Sequence, residues 1–320
     1  MKRIVVTGAL GQIGSELVLA LRDAYGEENV LACDIRKDPP SAIKETGPFE
    51  CVDCTDGSVV GEVVEQHRAD TIYHLAAILS GKAEQKPQLA WHVNVDGLYQ
   101  VLEVARKLKC AVFVPSSIGA FGPGTPLVDT PQDTIQRPNT MYGVTKVSGE
   151  LLCDYYNKKF GVDTRGVRYP GIISNVTLPG GGTTDYAVEI YYEAVKEGHY
   201  TCFLKEGTKL DMMYMPDAIK AAIDVMEAAP ERLKHRNAFN VTAMSVAPED
   251  LAESIRKHLP HFTMDYEVDP VRQPIAESWP RNMDDSAARE EWGWSPDYDL
   301  AKMTEDMLQV LGKRYPAGGA

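Results

Sequence analysis

The chain has no apolar run approaching the roughly 20 residues that a membrane-crossing helix requires. Its start, "MKRIVVTGALGQIG", reaches glycine too soon to hold the apolar stretch of a secretion signal. These absences make a cytoplasmic location the expectation, with no membrane partner. Basic clusters are lacking as well. Against 46 Asp and Glu there are only 33 Lys and Arg, a formal net charge of -13, which argues against a nonspecific nucleic-acid binder and for a small-molecule ligand. Cysteine is scarce and scattered: the six residues at 33, 51, 54, 110, 153 and 202 form no disulfide framework, and reduced thiols are expected. "CVDC" at 51–54 lacks a second ligand pair, and the proline of "HLPH" at 258–261 disfavours a shared helical face, so no metal site is expected. Internal repeats are missing too.

What is present reads as alternation. With 320 residues, 44% hydrophobic and 25% charged, the chain can bury one large core or two that share an interface. "KRIVVTG" predicts a strand, and "QIGSELVLALRDAYG" a helix with apolar residues at helical spacing. Strands follow at "NVLACD", "FECVD", "ADTIYHLAA", "CAVFVPSS" and "VDTRGVRYPGII"; "SVVGEVVEQHR", "LAWHVNVDGLYQVLEVARKL" and "YGVTKVSGELLCDYYNKKFG" predict the helices between them. Strands that alternate with helices predict an α/β fold, a doubly wound parallel sheet of the Rossmann kind. The pattern loosens after residue 174. Residues 1–174 are therefore expected to form the cofactor domain, and 175–320 a smaller C-terminal lobe over the substrate, with helices near 185–197, 216–228 and 248–258 and some segments returning to the sheet.

The first turn carries chemistry. "TGALGQIG" places Gly8, Gly11 and Gly14 between strand and helix, where glycine permits a tight turn, close approach of backbone to a pyrophosphate and close helix packing. Asp34 stands 20 residues beyond Gly14, at the end of the second strand, where a carboxylate accepts from adenosine ribose hydroxyls and repels a 2′-phosphate. That favours NAD over NADP, although Arg36 and Lys37 stand nearby. Asp53 is placed to meet the adenine or to be an exposed turn aspartate. Leu75, Ala76 and Ala77 in "HLAA" are small enough to let a cofactor pass.

In "MYGVTK", Tyr142 and Lys146 share a helical face at i and i+4, which alone fits an ordinary surface pair as well as a chemical one. Together with "TGALGQIG", Asp34, "HLAA", Asn94, Ser117 and the preceding "PSSIGAFG", however, the pair resembles the extended short-chain dehydrogenase/reductase family over most of the chain. The resemblance implies NAD and a catalytic set of Ser117, Tyr142 and Lys146. Tyr142 would be the general base, favoured as phenolate by the ammonium of Lys146 and by an oxidised nicotinamide, while Lys146 would also bond the nicotinamide ribose. Ser117 would orient the substrate hydroxyl, with Ser116 as the competing choice. Along the cofactor, the resemblance adds Gln12, Ile13, Ile35, Cys54, Pro115, Tyr169, Pro170 and Ile172.

The family shares its triad among epimerases, dehydratases, reductases and dehydrogenases, so the second half must discriminate. "RYPGIIS" and "PGGGTTDYAVEIYYEA", with "MMYMPDA" and "SWP", resemble the short-chain branch of L-threonine 3-dehydrogenases. This implies oxidation of the L-threonine β-hydroxyl to 2-amino-3-oxobutyrate, a product fit for a coenzyme A-dependent ligase. Gly181 would then adjoin the substrate among glycines that let the loop close, and Thr183, Thr184 and Asp185 would start a helix whose free amides could receive the carboxylate; either threonine equally fits a capping role. Ser80 and Trp279 would bound the pocket, Trp279 fitting a core plug equally well. A homodimer through helices at 88–108 and 140–160 is implied too. Two alternatives stand: a nucleotide-sugar 4-epimerase, disfavoured by the lack of an evident basic cluster, and a non-catalytic NAD-sensing protein, disfavoured by the intact triad.

Overall fold

The computed structural model describes residues 1–178 and 180–316. The first half alternates strands β1 (Ile4–Thr7), β2 (Val30–Asp34), β3 (Phe49–Cys51), β4 (Thr71–His74), β5 (Ala111–Phe113), β6 (Ser116–Ser117) and β7 (Thr164–Arg165) with helices α1 (Gln12–Tyr25), α2 (Ser41–Lys44), α3 (Gly57–His67), α4 (Ser80–Gln85), α5 (Pro87–Trp91), α6 (Gly97–Leu108) and α7 (Met141–Phe160). β1, β2 and β4 are buried along their whole length, as strands must be when helices cover both faces. The sheet runs β3-β2-β1-β4-β5-β7, and its strand pairs are parallel. The order reverses between β1 and β4. Ligands collect at such a switch point, at the carboxyl ends of the strands.

Three elements depart from the sequence expectation, each for a physical reason. "CAVFVPSS" is not one strand: β5 ends at Phe113, and β6 instead pairs with β8 (Val167–Tyr169). "VDTRGVRYPGII" likewise divides into β7, β8 and β9 (Gly171–Ile173). Pro115 and Pro170 have no N–H to give a ladder. Between β7 and β8, a Cβ on Gly166 would lie 2.1 Å from the Val114 carbonyl, so the two chains bend together at backbone distance. The third departure is in the long helix at 87–108, which widens into a π turn over His92–Asp96.

The second half contributes β10 (His199–Cys202), β11 (Leu210–Tyr214), β12 (Phe239–Asn240), β13 (Met244–Val246) and β14 (Thr263–Tyr266), with helices α8 (Tyr186–Lys196), α9 (Met215–Glu227), α10 (Pro248–Arg256), α11 (Arg272–Glu277), α12 (Ser286–Trp292) and α13 (Leu300–Arg314). Its segments return to the first half: β12 pairs with β8 and β11 with β9, both parallel. One apolar core joins β1, β2 and α1 to α9, Phe239, Trp292 and Trp294. A second gathers α8, α10 and α13 with Ile118, Phe121 and Trp279. Among the described residues, no helix is long and apolar enough to cross a membrane.

Candidate active site

Gly8 leaves β1 at φ +73°, and a Cβ there would lie 2.5 Å from the Ala76 backbone nitrogen. One on Gly14 would lie 2.3 Å from the Gly8 carbonyl. The turn, "HLAA" and α1 therefore touch backbone to backbone, and only glycine fits. A cleft of about 1090 Å³ opens from this turn. Gly8, Gly11, Gln12, Ile13 and Gly14 line one end; Leu75, Ala77, Pro115, Tyr169, Pro170 and Ile172 continue it. A bare-backbone groove at a helix N-terminus fits the pyrophosphate of a dinucleotide.

Asp34 is buried at the carboxyl end of β2, where its Oδ2 accepts from the Leu10 amide of the same turn at 2.9 Å. Burial pulls its pKa upward, but bonds from the side chain and amide of Arg36 and from Leu10 win and hold the carboxyl below its ordinary value. Ile35 is exposed. Asp53 is exposed as well, its Oδ1 accepting from the Thr55 amide and hydroxyl at 2.9 and 2.8 Å. Cys54 is buried, with Sγ 3.2 Å from where a Gly97 Cβ would stand.

The cleft continues to Ser117, Tyr142 and Lys146. Thr140 caps α7, its side chain accepting from the Gly143 amide at 3.1 Å, and sets Tyr142 in the first turn. A Cβ on Gly143 would lie 2.3 Å from the Gly119 carbonyl, which locks the helix against the loop after β6. The Lys146 Nζ lies 5.5 Å from the Tyr142 ring centroid and donates to the Pro115 carbonyl at 2.7 Å. Asn94 projects from the π turn, accepting from the Ile78 amide at 2.7 Å and donating to its carbonyl at 3.1 Å and to Thr145 Oγ1 at 3.0 Å. It thereby ties α7 to the loop after β4. Helical widening of this kind recurs at functional sites.

The adjacent serines both line the cleft but differ in their partners. Ser117 lines the cleft, its Oγ accepting from the Gly119 amide at 3.1 Å. Ser116 is buried and donates to Glu150 Oε1 at 2.5 Å; Glu150 in turn holds Arg168 through bonds of 3.0 and 2.8 Å. This buried Ser116-Glu150-Arg168 network was not foreseen, because its members lie on β6, α7 and β8 and no local spacing links them.

At the far end the cleft is lined by Ser80, Thr183, Thr184, Asp185 and Trp279. Trp279 also packs in the second core, so it has both of the places open to it. The loop differs from expectation. Helix α8 begins at Tyr186 with Asp185 at its N-cap, and neither threonine supplies a side-chain cap. Asp185 Oδ2 accepts from the Gly181 and Gly182 amides at 2.7 and 2.5 Å, while the Ala187 and Val188 amides bond the Thr184 and Asp185 carbonyls. A loop carboxylate thus holds the Gly181 and Gly182 amides, whereas the donors expected to receive a substrate carboxylate, at Thr183, Thr184 and Asp185, are not the ones these bonds occupy. Leu79, Ile118 and Gly171 line the cleft unanticipated. The first two adjoin predicted residues; a Cβ on Gly171 would lie 2.9 Å from Thr184 Cγ2, so this glycine lets the loop approach β9.

His74, at the end of β4, is also unanticipated. It is buried, with Nδ1 2.7 Å from Thr7 Oγ1, and among the described residues its Nε2 has no hydrogen-bond partner. Burial, with the positive charge of Lys146 behind it, lowers its pKa to about 3, so the ring is neutral.

A model of the NAD dependent epimerase/dehydratase family matches residues 4–242. An uncharacterised epimerase/dehydratase of Staphylococcus haemolyticus is 57% identical over 314 residues, covering 98% of this chain and 99% of its own. The solved L-threonine dehydrogenase of Clostridium difficile is 58% identical with a TM-score of 0.96, each chain covered to 98%. A monomeric L-threonine 3-dehydrogenase from a metagenome is 45% identical with a TM-score of 0.93, covering 98% of this chain and 99% of its own.

Proposed function

The chain belongs to the NAD dependent epimerase/dehydratase family, and from that premise we propose that it oxidises the β-hydroxyl of L-threonine to 2-amino-3-oxobutyrate. One observation carries this reading: the glycine turn, Ser117, Tyr142 and Lys146, and the small polar end at Ser80, Thr183 and Thr184 all face one cleft. Solved relatives with the same build are L-threonine dehydrogenases.

In this reading Gly8, Gly11 and Gly14 hold the pyrophosphate, Asp34 the adenosine ribose, and Lys146 the nicotinamide ribose. NAD, when bound, supplies the acceptor for the hydride that leaves the β-carbon. Tyr142 takes the hydroxyl proton, and Ser117 orients that hydroxyl and steadies the oxygen as it becomes a carbonyl. Ser80, Thr183 and Thr184 offer hydroxyl donors to the carboxylate, beside the amides at the start of α8. Trp279 closes the pocket. Residues 1–174 serve the cofactor and 175–320 cover the substrate. The β-keto acid product requires a consuming step, for which a coenzyme A-dependent ligase is suited. Exposed Tyr99, Leu151, Tyr155 and Phe160 on α6 and α7 support a homodimer through those helices.

The test is NADH absorbance with NAD and L-threonine, beside D-threonine, L-allo-threonine and L-serine. Turnover selective for L-threonine, reduced about 10²- to 10⁴-fold in Tyr142→Phe, is the expected result. The epimerase alternative gains one observation: Lys209 and Arg281, with Lys205 paired to Glu277, line a cleft of about 540 Å³ beside Trp279. If no amino acid yields NADH, the same protein is assayed with UDP-sugars.

A further inference from the structure

Behind the cofactor cleft lies a second cavity, of about 450 Å³. Leu75, Ala77, Pro115, Ser116 and Lys146 line both and form the wall between them, whereas His74 lines the rear cavity alone. The groups able to carry charge around it are Lys146, Glu150 and Cys153 from α7 and His74 from β4. Glu150 is fully engaged, its two oxygens accepting from Ser116, Gln136 and Arg168. Burial pushes the Cys153 thiol up, so it stays neutral. Asn94, on the same wall, is held by the Ile78 backbone and Thr145. Among the described side chains that line the cavity, His74 alone keeps a buried nitrogen or oxygen without a partner: the residue is 3% exposed, and the atom is Nε2.

Lys146 offers the complement. Its ammonium has three protons to donate, and one goes to the Pro115 carbonyl at 2.7 Å. The neutral ring of His74 has Nδ1 2.7 Å from Thr7 Oγ1; when Nδ1 donates to that hydroxyl, Nε2 is left as an acceptor. An ammonium and an imidazole acceptor that share a polar cavity without bonding each other meet the conditions for an ordered water between them. We propose that His74 is a positioning residue for the Tyr142–Lys146 pair: a water in the rear cavity accepts from Lys146 and donates to His74 Nε2, and so anchors the ammonium from the side away from the cofactor. Tied to this water and to Pro115, the ammonium keeps its place 5.5 Å from the centre of the Tyr142 ring. The inference rests on the proposed function, in which Lys146 assists Tyr142 as the base.

Three variants separate the two ring nitrogens. His74→Asn keeps a polar atom near Nδ1 for Thr7 but none near Nε2, His74→Gln restores an acceptor near Nε2, and His74→Leu has neither. With NAD and L-threonine, kcat should fall about tenfold or more in His74→Leu and His74→Asn while KM for L-threonine changes by less than about threefold, and His74→Gln should stay within about threefold of the wild type. The acid limb of the pH–kcat profile should move to higher pH in the first two, because the base loses a fixed positive charge nearby. A high-resolution crystal structure of the wild type should show a water within hydrogen-bond distance of both His74 Nε2 and Lys146 Nζ, and His74→Leu should lack it. Each of three results would overturn the proposal: no such water in the wild type, an unchanged kcat in His74→Leu, or a loss in His74→Gln as large as in His74→Asn. A wild type that oxidises no L-threonine would sink the proposed function instead, and the crystallographic water would still decide the place of His74. Unfolding temperatures identify any variant whose loss is one of folding.

Discussion

Glu150 and Arg168 face each other behind the cleft, both buried and joined by two bonds. Removing one member of such a pair leaves an uncompensated buried charge, so Glu150→Ala is expected to lose about 3–5 kcal/mol of stability in urea unfolding. Ser116→Ala, which removes a single hydrogen bond to the same carboxylate, should lose about 1 kcal/mol. A similar loss in both variants would mean that Arg168 finds other partners. His235 predicts a pH effect. Burial lowers its pKa, but bonds to Glu291 and Asp133 outweigh burial and raise it above the ordinary value. Its contribution is then fully present below the unfolded pKa of about 6.5 and is lost as pH rises through the folded value. The unfolding temperature should fall above about pH 6.5, and His235→Gln should flatten that slope. His74 acts in the opposite sense: with its folded pKa at about 3, the stability it contributes is lost as pH falls from about 6.5 toward that value.

Elements decide how the ends of the cleft meet. The start of α4 abuts the 180–182 loop so closely that a Cβ on Gly81 would lie 2.6 Å from the Gly181 carbonyl. Gly81→Ala must push that loop away from the cleft. On the threonine reading, kcat/KM should fall by about tenfold or more, mainly through KM, with NAD affinity unchanged because the glycine turn is untouched. Steady-state kinetics beside NAD titration separates the two, and an unchanged KM would show that the loop does not position substrate. Helix α7 was legible at once, since the "YGVTKVSGELLCDYYNKKFG" run and its i and i+4 pair are local signals. The π turn at His92–Asp96 was not: it arises where Asn94 reaches the Ile78 backbone and Thr145, partners remote in sequence.

For the whole molecule, the exposed apolar face of α6 and α7 predicts a dimer, and light scattering at micromolar concentration should report twice the chain mass. Leu151→Glu with Tyr155→Glu should give a monomer that keeps its fold, because both side chains are already exposed. A monomer mass for the unaltered chain would place it with its monomeric relative and leave that face without a partner.

The sequence by itself determined the doubly wound sheet, the glycine turn, Asp34 at the end of β2 and the Tyr142–Lys146 pair. Each is a local pattern: period, turn chemistry and short spacing are written along the chain, and backbone sterics read them directly. Only the tertiary structure decided the rest. It bonded Ser116 to Glu150, and it joined Arg36 to Asp34. It also spent the Gly181 and Gly182 amides on Asp185, and assembled Lys205, Lys209 and Arg281 beside Trp279. In each case the outcome depends on which polar groups compete for one partner in a buried or crowded place, and that competition is settled by packing rather than by order along the chain.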